Sequence, residues 1–171
     1  MSRVFFFADS HYNHENIIKY CNRPFKDVTE MNKKLILNWN NTVSKHDKVF
    51  LLGDFVFGTV EQVIEIGQQL QGHKTLILGN HDKKSLEVYR RAGFEEVCRY
   101  PILWNDFYIL SHAPKFITES SPYFNIFGHV HNDPVYKDYS SNSFCVSAER
   151  INYTPISFDE IRKRVGKLTY G

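Results

Sequence analysis

Cysteine is scarce in this chain: three residues in 171, Cys21, Cys98 and Cys145, odd in number and far apart. That spacing excludes a disulfide framework and matches no paired zinc motif, so free thiols in a reducing compartment, the cytoplasm by default, are expected. Net charge is nearly absent as well. The formal +2 leaves no polybasic footprint for nucleic acid or an anionic membrane, so affinity for phosphate must reside in a local site. Long apolar runs are missing: Asp9 interrupts Val4-Phe5-Phe6-Phe7-Ala8 far short of a signal-peptide core, and no stretch approaches the ~20 residues that span a bilayer. No repeat, linker or low-complexity segment divides the chain, so residues 1–171 are expected to form one domain, with no membrane association and no obligate protein partner.

What is present is a set of short apolar runs, each ending in a residue that binds metals or moves protons. Leu76-Ile77-Leu78-Gly79 runs into Asn80-His81-Asp82, Val4–Ala8 into Asp9-Ser10-His11, and Val49–Leu52 into Gly53-Asp54. Tyr108–Ser111 leads to His112, and Ile126-Phe127-Gly128 to His129-Val130-His131. Runs this rich in Val, Ile and Phe read as strands buried on both faces, and α/β proteins collect their ligands at the carboxyl ends of such strands. Converged, the five ends supply Asp9, His11, Asp54, Asn80, His112, His129 and His131, oxygen and nitrogen donors sufficient for two metal ions.

Between these runs the pattern predicts helices over about Glu15–Cys21, Val28–Val43, from Thr59 to before Gly72, and Lys83–Ala92, giving β-α-β-α-β-α. In the second half Glu95–Arg99, Pro101–Trp104 and Phe107–Ser111 read as antiparallel, the last two joined at an Asn105-Asp106 turn, and Asn125–Gly128 and Phe144–Ser147 are further candidate strands before a closing helix Phe158–Val165.

The motifs Asp9-Ser10-His11, Gly53-Asp54, Gly79-Asn80-His81-Asp82, His112 and Gly128-His129-Val130-His131 closely resemble, in order and residue type, the pattern of the calcineurin-like metallophosphoesterase superfamily. The stretch Asp9–Ile18 with Cys21-Asn22-Arg23-Pro24-Phe25 looks like a small, uncapped bacterial or phage branch of it. The resemblance implies an α/β fold of two mixed β-sheets packed as a sandwich with flanking helices. It also implies a dinuclear metal-dependent phosphoesterase. One ion would be held by Asp9, His11 and His131 and the other by Asn80, His112 and His129, with Asp54 bridging, since a carboxylate offers two anionic oxygens and can hold ions about 3.5–4 Å apart. The ions would be divalent transition metals, manganese first, then iron, zinc, cobalt or nickel, because imidazole argues against magnesium or calcium. A neutral Asn80 keeps the centre net positive toward phosphate.

By the same resemblance a metal-bridging hydroxide attacks phosphorus while His81 assists the leaving group. Asp82 either orients His81 or caps the next helix. Asn13, His14 and Arg23 are candidate substrate contacts: His14 reaches the substrate or caps a helix, and Arg23 clamps a phosphate or forms a surface turn. His46 and His73 read as structural, and Phe57 as core. Protein phosphatases extend Gly-Asp to G-D-x-x-D-R-G, whereas this chain runs Gly53-Asp54-Phe55-Val56-Phe57-Gly58-Thr59 without the arginine. A phosphodiester substrate, nucleotide or nucleic-acid-derived, is therefore the expectation, with a broad phosphomonoesterase or a non-catalytic scaffold as the alternatives.

Overall fold

The computed structural model describes residues 2–118 and 120–166. In chain order the elements are β1 (Val4–Phe7), α1 (Glu15–Tyr20), α2 (Val28–Thr42), β2 (Lys48–Leu51), α3 (Val60–Gln69), β3 (His73–Ile77), α4 (Leu86–Arg91) and β4 (Phe94–Cys98). There follow β5 (Ile102–Trp104), β6 (Tyr108–Ser111), β7 (Phe124–Phe127), β8 (Tyr139–Ser140), β9 (Ser143–Cys145), a short 3-10 helix (Ala148–Ile151), β10 (Ile156–Ser157) and α5 (Phe158–Val165). They build two mixed five-stranded sheets, ordered β10-β1-β2-β3-β4 and β5-β6-β7-β9-β8. This is the expected α/β sandwich with flanking helices.

The Phe5-Phe6-Phe7 run is apolar throughout because β1 has protein on both faces. Phe6 packs 5.6 Å from the Trp104 ring of the opposite sheet, whereas Phe7 points the other way and meets Trp39 of α2 at 5.8 Å. Asp27 starts α2 by accepting the Glu30 amide at 2.8 Å, and the helix buries Met31, Leu35 and Trp39 at four-residue spacing. Loss of a buried aromatic such as Trp39 typically costs about 3–5 kcal/mol. A full capping box, Thr59 with Gln62, starts α3.

Two local readings are corrected. β4 runs parallel to β3, with Thr75 paired to Glu96, because α4 carries the chain back across the sheet. Its exposed, adjacent Glu95 and Glu96 reflect an edge strand, not an antiparallel one. The helix expected from Lys83 begins only at Leu86, since residues 79–82 are drawn into the neighbouring Gly53-Asp54 loop. The Asn105-Asp106 turn does join antiparallel β5 and β6, both residues adopting positive φ (51° and 55°).

The two sheets are joined at one end. The Ala8 amide donates to the Val146 carbonyl at 3.0 Å, and the Ala148 amide donates to the Ala8 carbonyl at 3.0 Å. Only glycine fits where β7 leaves this seam, because a Cβ on Gly128 would lie 2.4 Å from that of Ala8. The carboxyl ends of β1, β2, β3, β6 and β7 therefore open at one place.

Candidate metal centre

After β1, β2 and β7 the chain turns its ligand side chains inward through left-handed backbone, which the segments carrying Asn80 and His112 do not need. Asp9, His11, Asp54, His129 and His131 have φ of 58°, 50°, 57°, 73° and 47°. Such a conformation costs an ordinary residue roughly 1–2 kcal/mol, and Asp and Asn bear it better than β-branched types. Here cross-loop hydrogen bonds hold it: the Asp9, His11 and Tyr12 amides donate to the Gly53, Asp54 and Phe55 carbonyls, each at 3.0 Å.

Asp9, His11 and His131 bring one donor atom each within 4.8 Å of the others. Asp9 Oδ2 accepts the His129 amide at 2.7 Å, while Oδ1 and both ring nitrogens of His11 are buried without a hydrogen-bond partner among the described residues. Burial pushes the Asp9 carboxyl up to about 6 against the pull of His131 and His112, and it pushes His11 down so that its imidazole stays neutral. His131 Nδ1 lies 3.0 Å from Glu149 Oε1. Burial would raise the Glu149 pKa, but the His131 hydrogen bond and Arg23 charge bring it below the usual value, so the carboxylate accepts from a proton on Nδ1 and Nε2 is the nitrogen turned toward the cluster. Burial lowers the pKa of His131, yet hydrogen bonding with Cys21 and Glu149 and the charge of Asp9 outweigh it and lift it to about 10. A cation held at Nε2 would take that proton's place.

The second cluster is Asp54, His112 and His129, with Asn80 beside it. His112 Nδ1 faces the Leu52 carbonyl at 2.8 Å, which can only accept, so Nε2 again carries the lone pair. That lone pair meets Asn80 Oδ1 at 2.9 Å, His129 Nδ1 at 3.0 Å and Asp54 Oδ2 at 3.4 Å. With a neutral ring, that lone pair faces two oxygens and a ring nitrogen, a meeting of acceptors that a cation resolves. Burial and the neighbouring His112 lower the pKa of His129, favouring the neutral ring a metal needs. Asp54 stands between the clusters: Oδ1 accepts the His81 amide at 2.9 Å, and Oδ2 is 3.5 Å from His11 Nε2. The residues present thus fit two ions with nitrogen and oxygen ligands.

The remaining expected site residues are placed differently from one another. His81 is exposed, its ring 5.6 Å from that of His11 and 5.1 Å from that of Phe57. Phe57 is therefore a wall of the site and not part of the deep core. His14 stacks on Phe57 at 3.9 Å and 7°, and although it occupies the N-cap position of α1 its side chain makes no cap hydrogen bond.

Three assignments need correction. Asp82 neither orients His81 nor caps α4: its Oδ2 accepts the Asp54 and Gly79 amides, both at 2.8 Å, and its Oδ1 accepts the Phe55 amide at 3.0 Å. Asn13 turns toward α2, where its Oδ1 accepts from Asn32 Nδ2 at 2.6 Å. Arg23 is neither a phosphate clamp nor a surface turn. It is 4% exposed, and its guanidinium donates to the Asp9 carbonyl at 2.7 Å, the Ser10 carbonyl at 2.9 Å and Glu149 Oε1. Glu149 itself went unrecognised, because Ala148-Glu149-Arg150 carries no local signal and its partners are distant in the chain.

Two mixed sheets joined at one end, with oxygen and nitrogen donors gathered at the seam, define a candidate metal centre, and family membership makes it that of a metal-dependent phosphoester hydrolase. The family model for calcineurin-like phosphoesterases matches residues 2–167, and the chain belongs to that family, whose members work with a pair of metal ions. An uncharacterized protein of Methanocaldococcus jannaschii is 38% identical, the match covering 98% of this chain and 93% of that one. The Gene 66 protein of Mycobacterium phage L5 is 36% identical over 85 residues, 48% of this chain and 41% of its own. Among solved structures, a protein of unknown function from Aquifex aeolicus superposes with a TM-score of 0.76 at 28% identity, covering 96% of this chain and all of that one (100%). Pseudomonas putida nuclease MPE shares the fold with a TM-score of 0.52 at 19% identity, over 75% of this chain and 62% of the nuclease. No helix among the described residues is long and apolar enough to cross a membrane.

Proposed function

We propose that the chain is a phosphodiesterase acting on a small nucleotide- or nucleic-acid-derived ester, with all of its working residues in one domain, residues 1–171. The observation that carries the reading is the position of Asp54 Oδ2, 3.5 Å from His11 Nε2 and 3.4 Å from His112 Nε2. Asp9, His11 and His131 would hold one ion, Asn80, His112 and His129 the other, and Asp54 would be shared. Divalent manganese is the first choice of metal, and the reducing cytoplasm suits three free thiols.

When bound, such ions supply Lewis acidity and a water nucleophilic at neutral pH. The chain's own residues set the rest. Burial keeps His11 neutral, and the Nδ1 hydrogen bonds of His112 and His131 aim their Nε2 atoms inward. Asp9 and Asp54 are the only carboxylates of the ligand set, so the loaded centre retains positive charge toward phosphate. His81 is fixed through its amide to Asp54 while its ring stays exposed, which suits delivery of a proton to the departing oxygen. The stacked His14 and Phe57 rings beside it offer a planar leaving group an aromatic face.

The diester preference rests on missing cationic help. A monoester carries an additional negative charge, yet Gly58 stands where protein phosphatases have arginine, and Arg23 is committed to Asp9, Ser10 and Glu149. The test compares kcat/KM for bis-nitrophenyl phosphate and nitrophenyl phosphate at one pH with manganese. A diester preference is expected. Monoester preference would replace the reading with a broad phosphomonoesterase, and no turnover of either ester by metal-replete protein would leave a non-catalytic scaffold.

A further inference from the structure

We propose that Glu149 is a positioning residue for the first metal ion, acting through His131, and that Arg23 locks it in that role while tying down the loop that carries Asp9. The inference rests on the two-ion reading above. Glu149 enters the seam from the 3-10 helix that follows β9, where its Oε1 receives His131 Nδ1 at 3.0 Å, Arg23 Nε at 2.9 Å and a terminal nitrogen of Arg23 at 2.8 Å. The guanidinium's remaining hydrogens reach the Ser10 carbonyl at 2.9 Å and the Asp9 carbonyl at 2.7 Å. These carbonyls belong to the left-handed Asp9 (φ 58°) and to the residue before left-handed His11 (φ 50°). One planar cation therefore joins the loop bearing Asp9 and His11 to the carboxylate that orients His131. Lysine, a point donor on a flexible stem, cannot span those acceptors at once.

A carboxylate behind a ligating imidazole fixes its tautomer and raises its basicity. Without Glu149 the proton of His131 is free to occupy either nitrogen, and a proton on Nε2 blocks coordination. Because Arg23 and Glu149 cancel in charge, they orient the ligand without reducing the positive field that attracts phosphate. Stability alone accounts poorly for the pair. Buried ion pairs are often no better than apolar replacements, and Glu149 Oε2 is buried with no hydrogen-bond partner among the described residues, a burden of roughly 1–3 kcal/mol. Retaining an unsatisfied oxygen makes sense where its companion oxygen has a task.

The experiment is calorimetric titration of apo protein with manganese, in wild type, Glu149→Gln, Glu149→Ala and Arg23→Lys, together with histidine nitrogen NMR of the zinc-loaded wild type. Glu149→Ala should weaken one ion by about 10–100-fold, the range for lost support of a ligand, with Glu149→Gln at the low end because its amide oxygen still accepts from Nδ1. The other ion should stay within about twofold, as for a site the residue does not touch. Arg23→Lys should weaken the same ion, and the NMR should find His131 protonated at Nδ1. Unchanged affinity for every ion, equal weakening of both ions, or a proton on Nε2 of His131 would overturn the assignment. If Glu149→Ala does not fold, Glu149→Gln is judged by the same criteria. A wild type that binds a single ion would remove the two-ion reading, and the assignment then stands or falls on whether that ion is weakened.

Discussion

Asp82 accepts the backbone amide of Asp54 at 2.8 Å. The last residue of Gly79-Asn80-His81-Asp82 thereby supports the loop of Asp54, whose Oδ2 faces His11 of one donor cluster and His112 of the other, and the two loops are built as one object. Asp54 returns the contact by accepting the His81 amide at 2.9 Å. Gly79 lets them meet, since a Cβ there would lie 2.2 Å from Asp54 Oδ1.

Asp82→Ala should therefore cost roughly 3 kcal/mol of folding stability, because three amides lose their acceptor, and Asp82→Asn should cost less. Chemical denaturation measures both. Activity should fall through lost metal affinity and recover in part with excess manganese. A changed leaving-group dependence at full metal content would instead return Asp82 to the role of orienting His81.

Asp54→Asn should impair both ions, since the shared anionic oxygen is lost, whereas His11→Ala should mainly impair one. Elemental analysis after manganese loading reads the difference. Fewer than two ions in the wild type would contradict the shared role.

His81→Ala should keep its metals and lose turnover, by about 10²–10⁴-fold for alkyl esters if it acts as the general acid. The loss should shrink for nitrophenyl esters, whose leaving group needs little protonation. Equal losses for the two would point to charge stabilisation in the transition state.

Acid stability should depend on Asp47, far from the metals. Burial would raise its carboxyl, but the amides of Ser44 and Arg3, both at 2.8 Å, and the Arg3 guanidinium at 3.0 Å hold it well below the usual carboxylate range. A depressed folded pKa contributes stability that is present above the unfolded value of about 3.9 and is lost as pH falls toward the folded value. Between pH 6 and about pH 2.5 wild type should thus lose more stability than Asp47→Asn, as followed by urea denaturation. Parallel curves would assign the acid sensitivity elsewhere.

What the sequence made legible was local. An apolar run followed by Asp, Asn or His states both the strand and the side chain at its end, whereas the two-sheet sandwich was legible only through the resemblance of the motifs to a known family. Arg23 and Glu149 could not, because they lie 126 positions apart and each acquires its role only from the other. Asp82 and Asn13 were misread for the same reason: Asp82 bonds to amides up to 28 residues away, and Asn13 to a helix 19 residues on. Direction escaped too, as in β4, since exposed charges on an edge strand look the same whichever way its neighbour runs.

The left-handed backbones of Asp9, His11, Asp54, His129 and His131 bear on how this chain can change over generations. Each position holds a residue that glycine would replace with less backbone strain, by roughly 1 kcal/mol where the side chain has no other task. While the ions are needed, glycine is barred there. A lineage that no longer needed the chemistry would be released from that bar, and its descendants would gain stability by shedding ligands. Decay into a non-catalytic relative would thus relieve backbone strain at the three histidines, while Asp9 and Asp54 would also surrender the amides they accept from His129 and His81.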